Sequence, residues 1–308
     1  MKYFLWKAVL GPTPRLPLSL REYRALDHAW QTIQALLSFE EEFDAVLQNY
    51  IELELAFLNT AMRSMVLSPA SLVEFRKIRL TFARYLSNLL SSCRSYLDHA
   101  PHDLQLFGEP ISMRFKEIRK AAYDSEFAYR FMEALRNYAQ HRGSPLHGMT
   151  FNSRRVERAE GTANLQYSVW ASVSVVRLRA DPKFKRTILR EVPDDETIDI
   201  LPMCRIYIEK IGELHSKIRE ELGSQATDAT SLIRSSIDRY ASETDGSRIG
   251  ITFARSKSDE TVDDYQAIPE DVLELYESLV SRNRQVVNLR RRFVSNELLV
   301  ERALRTQT

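Results

Sequence analysis

The sequence predicts a mainly α-helical fold with one small β-hairpin. Three observations carry that expectation. Glycine is scarce, nine in 308 residues, so there are few of the tight turns that β-rich chains need. Ser-x-x-Glu sequences at 19–22, 38–41 and 71–74 read as capping boxes, each opening a stretch with apolar residues at helical steps. Strict apolar alternation, the signature of a strand, is confined to 165–178 and to 249–253.

Taken in order, residues 2–18 form a short strand or extended arm, interrupted by Pro12, Pro14 and Pro17. Ser19 opens a helix to about residue 37, and Ser38 opens a second over 39–67. In the second, Phe43, Val46, Leu47, Tyr50, Leu53, Leu55, Phe57 and Leu58 supply mostly buried positions. Its acids, Glu40, Glu41, Glu42 and Asp44, suit a solvated, positively polarised first turn. Residues 68–70 break the pattern. Ser71 caps a third helix, which Pro101 ends near Asp98-His99. A loop over 104–110 and a short helix over 112–123 follow. Residues 149–156 and 165–178 pair as a hairpin through Glu160-Gly161. Pro182 starts a short helix, 193–196 is an acidic loop, and helices cover 200–222, ended by Gly223, and 228–243. A strand at 246–255 and a last helix from 272 to about 299 complete the chain. This divides it into 1–70, 71–147 and 148–308, as separate units or one continuous domain.

Composition narrows the function classes. The chain is 44% hydrophobic and 28% charged with net charge +1, so no global field announces a polyanionic partner. Locally the balance shifts. Residues 71–158 hold fifteen Lys/Arg against nine Asp/Glu, whereas 39–70 hold six acids against Arg63 alone. A basic middle suits a polyanion surface, and equally the charged outer faces of long helices. Cys93 and Cys204 fit no metal spacing and predict reduced thiols in a cytoplasmic setting. No apolar run is long enough to cross a bilayer, and Lys7 interrupts the first apolar stretch, so neither a membrane partner nor a signal peptide is expected. A glycine-rich phosphate loop is absent, as is the Gly-Ser plus Asp-x-Asp set of nucleotidyltransferases.

The chain is organised around residues 125–143. Phe127, Phe131, Leu135 and Tyr138 line one helical face, with Asp124 as expected N-cap and Gly143 as expected C-cap. The last turn gathers Arg136, Asn137, His141 and Arg142. Cations there interact favourably with the helix dipole, which alone accounts for them. A functional account uses spacing: Asn137 and His141 stack four apart, and the stem of Arg136 can bring its guanidinium round toward the imidazole. Together they offer a group that titrates near neutrality and a forked cation for phosphate.

Arg136-Asn137-Tyr138-Ala139-Gln140-His141 resembles the R-x4-H motif, in its RNxxxH form, of the HEPN superfamily, and residues 71–147 resemble a HEPN core in layout. The resemblance implies a HEPN-like antiparallel helical bundle with the hairpin and further C-terminal helices attached. It implies a metal-independent endoribonuclease with Arg136, Asn137 and His141 catalytic and no cofactor. The RNA 2′-hydroxyl attacks the adjacent phosphorus and leaves a 2′,3′-cyclic phosphate. A toxin or phage-defence role, a homodimer that joins two motifs, and an antitoxin or defence-system partner come with it. The alternative is a non-catalytic HEPN-like module that binds RNA, nucleotide or protein. Around the motif, Arg142, Arg154 and Arg155 are expected to hold substrate, and Asp98 and His99 to support the catalytic pair. The run Asp98-His99-Ala-Pro-His102-Asp103 falls short of a metal site, which wants three or four fixed ligands. His147 is read as a loop residue in preference to a spare catalytic group, His28 and His215 as structural ones, and Arg290-Arg291-Arg292 as an RNA or partner contact or a solvated helix end.

Overall fold

A computed structural model describes residues 1–67, 71–157, 163–192, 197–257, 262–284 and 286–294. It is mainly helical, with two small antiparallel sheets. Strands β1 (Lys2–Lys7) and β2 (Leu16–Leu18) lead into α1 (Leu20–Val66), and α2 (Leu72–Asp103) runs back along it. A 3₁₀ turn at Leu104–Phe107 connects to α3 (Glu109–Ser125) and α4 (Phe127–His141). Then come β3 (Gly148–Glu157), β4 (Ala163–Ser174), α5 (Val175–Ala180), α6 (Arg186–Leu189) and β5 (Thr197–Asp199). The long helices α7 (Ile200–Glu221) and α8 (Gly223–Glu243) precede β6 (Ile251–Ser256), β7 (Asp264–Ala267) and α9 (Glu270–Arg282).

The main departure from expectation is α1. The sequence predicts two helices; the chain forms one of 47 residues. Ser19 does cap it, accepting from the Glu22 amide while Glu22 reaches back to the Ser19 amide. Ser38 caps nothing, and its hydroxyl donates to Asp103 at 3.0 Å. No glycine or proline interrupts residues 20–66, and Leu36, Leu37, Phe39, Phe43, Val46 and Leu47 bury a continuous apolar seam. The Ser-x-x-Glu at 38–41 therefore sits inside a helix, and its acids do not form a solvated first turn. Glu40 is buried against α7, Glu42 meets His99, and Asp44 takes Arg282 and Asn283 at the end of α9.

Helix α2 also outruns its expected end and continues through Pro101. A proline deprives the carbonyl four residues earlier of its N–H partner. That carbonyl, of Leu97, accepts instead from the Arg119 guanidinium at 3.1 Å. Asp124 lies in the last turn of α3, and Glu126 stands at the N-cap of α4 without a side-chain bond. Gly223 opens α8 rather than closing a helix. α9 ends at Arg282; beyond it Arg290 bonds Glu209, so this cation of the basic tail serves an internal pair.

The expected hairpin exists as β3–β4, with Phe151 opposite Val169, and its predicted turn lies outside the described residues, as do the breaks at 68–70 and 193–196. Val169, Ala171 and Val173 point inward. The helix α5 begins where the strand was predicted to run on to 178. The short β5 joins β4 to complete one sheet. The other has the order β2-β1-β6-β7, so β1 pairs with a strand some 245 positions later. One apolar cluster draws on 36–57, 82–146 and 169–222, joining all three stretches of the sequence division.

Candidate functional site

The packing of α4 decides what its last turn presents. Phe131 and Leu135 are fully buried, and Tyr138 is half-buried. That orientation leaves Asn137, His141 and Arg142 exposed, with Arg136 partly covered. Arg136 Nη1 donates to Asn137 Oδ1 at 3.0 Å. Five positions along a helix place Arg136 and His141 roughly 140° apart around the axis, and among the described residues no hydrogen bond joins them. Within one chain the guanidinium is thus held by its neighbour's amide rather than by the imidazole.

Beyond the helix the chain folds back on itself. Gly143 has no left-handed backbone; its use is close packing, because a Cβ there would lie 3.2 Å from the Tyr138 hydroxyl. Ser144 Oγ donates to the Leu146 carbonyl at 2.9 Å, and that carbonyl also accepts from Arg79 Nη1 at 3.2 Å. His147 is anchored rather than loose. Its amide donates to the Ser172 carbonyl, and its Nδ1 accepts from the Ser174 amide at 3.0 Å. With Nδ1 occupied as an acceptor, the neutral ring carries its proton on Nε2. Nε2 lies 3.4 Å from the Tyr138 hydroxyl, and the two rings meet edge to face. Burial, then the charges of Arg177 and Arg79, hold His147 below the usual histidine range. Arg177 stands in the first turn of α5, which the Ser174 hydroxyl caps. The end of α4 is therefore flanked by a fixed N–H donor and two further guanidiniums.

Among the described residues Arg79, Arg136, Arg142, Arg155 and Arg177 have no carboxylate partner, nor do Arg76, Lys77 and Arg84 on the outer side of α2. Arg154 bonds Gln166 at 2.7 Å across the hairpin. Arg158 lies outside the described residues. Asp98 pairs with Arg94 and His99 with Glu42. Both lie about 30 Å along α2 from Arg79, at the far end of that helix from the Leu146 turn. No group of three His, Cys, Asp or Glu suited to a metal occurs among the described residues.

A second titratable cluster is sealed in the core. Arg219 clamps Glu40 with both Nε and Nη2, at 2.7 and 2.5 Å. His215 Nε2 lies 3.2 Å from Glu40, its Nδ1 3.0 Å from the Tyr96 hydroxyl, and Phe39 and Phe43 stack on the ring. His215 and Tyr96 have no exposed surface. Burial pushes His215 down to about 4, against the opposing pull of Glu40. Burial pushes Glu40 up, but the bonds from His215 and Arg219 outweigh it and leave the carboxyl below its ordinary range. Only Arg219 reaches the surface, at 15% exposure, and the network serves to tie α1, α2 and α7 together.

Sequence reasoning missed Arg79 and Arg177 as neighbours of the motif. They come from two other helices, α2 and α5, and no spacing connects them to it. The fixed position of His147 had one faint signal, the Gly-Ser-Pro turn between it and the motif. No protein-family description, curated protein or solved structure matches the chain.

Proposed function

We propose that the face at the end of α4 binds RNA and cleaves it without a metal, as a HEPN-like endoribonuclease. The observation that carries the reading is the set of cations around the R-x4-H turn that no carboxylate neutralises among the described residues. In a chain of net charge +1 such a set suits an anionic partner. In the reaction the 2′-hydroxyl loses its proton and attacks the adjacent phosphorus, and the bond to the 5′-oxygen breaks as that oxygen gains a proton. His141 serves as the exposed acid–base group. Arg136 and Arg142 offset charge on the phosphorane oxygens. His147 cannot take a proton on Nδ1 without losing the Ser174 amide, so its part is to donate from Nε2 to a phosphate oxygen, between Arg79 and Arg177. At this face each chain offers one exposed imidazole, His141, which leaves the second proton transfer to a second copy, in keeping with a homodimeric toxin or defence effector that a partner protein restrains.

The test is incubation of the purified protein with RNA in EDTA. Cleavage to 2′,3′-cyclic phosphate and 5′-hydroxyl ends is expected, and His141→Ala should abolish it with an unchanged circular dichroism spectrum. Wild-type cutting by that variant rejects the assignment. One observation favours a second reading, a non-catalytic RNA-binding module: Arg136 is engaged with Asn137 and turned away from His141. Intact RNA with a retarded mobility selects it.

A further inference from the structure

The outer side of α1 carries a second feature that the RNA face does not use. Ile51, Leu55, Leu58, Met62 and Met65 follow steps of four, three, four and three, and each is 40–55% exposed. This is the seam spacing of a helix that packs along another helix. The opposite side of the same stretch is already used, with Leu53 and Phe57 buried and Phe57 edge-on to Phe82 of α2. Val66, Leu67, Leu72, Val73 and Leu80 extend the apolar surface over the end of the α1–α2 hairpin. These ten side chains expose on the order of 1,000 Å², above the roughly 300–600 Å² of a monomer's largest patch and near the ~800 Å² per partner of a standard interface.

We propose that this face is the contact between two copies of the chain, with their α1 helices antiparallel about Leu58. The spacing is nearly its own mirror. Reversal about Leu58 sets Ile51 against Met65 of the second copy, and Leu55 within one residue of Met62. That is what an isologous two-fold contact requires. The charges agree. Glu52 and Arg63, exposed and without an ion pair among the described residues, stand six residues before and five after Leu58. The antiparallel arrangement brings each Glu52 level with Arg63 of the other copy, twice over. A parallel arrangement would oppose like to like. This inference does not depend on the ribonuclease reading and is tested without any activity.

Sedimentation of the full chain over a concentration series should show a dimer. Leu58→Asp, on an exposed position, should raise its dissociation constant at least ~30-fold with an unchanged circular dichroism spectrum. Leu58→Cys should form a disulfide-linked dimer on oxidation, since the native Cys93 and Cys204 are buried. Glu52→Arg should weaken the dimer, and adding Arg63→Glu should restore it. A chain that stays monomeric at every concentration overturns the proposal, as does a dimer indifferent to Leu58→Asp. An intramolecular disulfide between Leu58→Cys and Leu299→Cys in the full chain would assign the stripe to the chain's own last residues and also overturn it.

Discussion

Two sets of arginines divide the molecule. Around α1, α7 and α9 five arginines meet carboxylates: Arg219 with Glu40, Arg205 with Glu54, Arg290 with Glu209, Arg234 with Glu277 and Arg282 with Asp44. Around the end of α4 and the start of α2 they do not, among the described residues. In the first set Arg219 and Arg205 are mostly buried, where an unneutralised charge costs several kcal/mol, whereas Arg234, Arg290 and Arg282 are more exposed and their pairs contribute less. The second is largely solvated, where a lone guanidinium costs little and remains open to a partner from outside. Composition alone cannot separate the two sets, because both contribute to the same net charge.

The comparison breaks most visibly if a paired member is removed. Glu40→Ala strands Arg219 and His215 in the core and should cost about 3–5 kcal/mol of unfolding free energy, read from urea denaturation. An effect below one kcal/mol would mean that the pair is not structural. Acid should act through the same site. The unfolded chain's histidine takes a proton near 6.5, whereas buried His215 resists until about 4. Stability from this group is therefore complete above about pH 6.5 and declines as pH falls toward 4, by about 3 kcal/mol for a shift of that size. Glu40, with its depressed folded value, adds a further loss below the ordinary carboxylate range. His215→Gln should flatten the decline between pH 6.5 and 4; a slope equal to wild type would place its origin elsewhere.

The unpaired set should behave the other way. Arg177→Ala should leave stability within ~0.5 kcal/mol while RNA affinity falls and the slope of log K against log salt drops by about one. Arg79→Ala should do the same, with somewhat more destabilisation because the Leu146 carbonyl loses a donor. Arg84→Ala, whose guanidinium stacks over Tyr85 on the outer side of α2, should change both quantities least. Equal losses of RNA affinity for all three would dissolve the distinction between a focused site and a diffuse basic surface.

Much of the fold was readable from the residues. The capping box at Ser19, the N-cap at Ser71, the alternation through Val169, Ala171 and Val173, and the apolar face of α4 stand as expected, because each is a local signal. Ser38 misled because a Ser-x-x-Glu within a helix is identical to one at its start; only the partners of Glu40 and Glu42, on α7 and α2, decide between them. Pro101 misled because its cost was relieved from outside the helix, by Arg119. At the candidate site the R-x4-H turn was legible as a hexapeptide. The anchoring of His147 was not, since it depends on Ser172 and Ser174, more than twenty positions away.

The pairing of β1 with β6 bears on how the chain is made. A ribosome working at roughly 5–20 residues per second would release the first strand some tens of seconds before the second. Until then Phe4 and Leu5, both interior in the finished protein, have only the short β2 to pair with. The nascent chain must keep one edge of β1 unpaired for that interval, which makes this strand among the last elements to settle and a natural foothold for a chaperone.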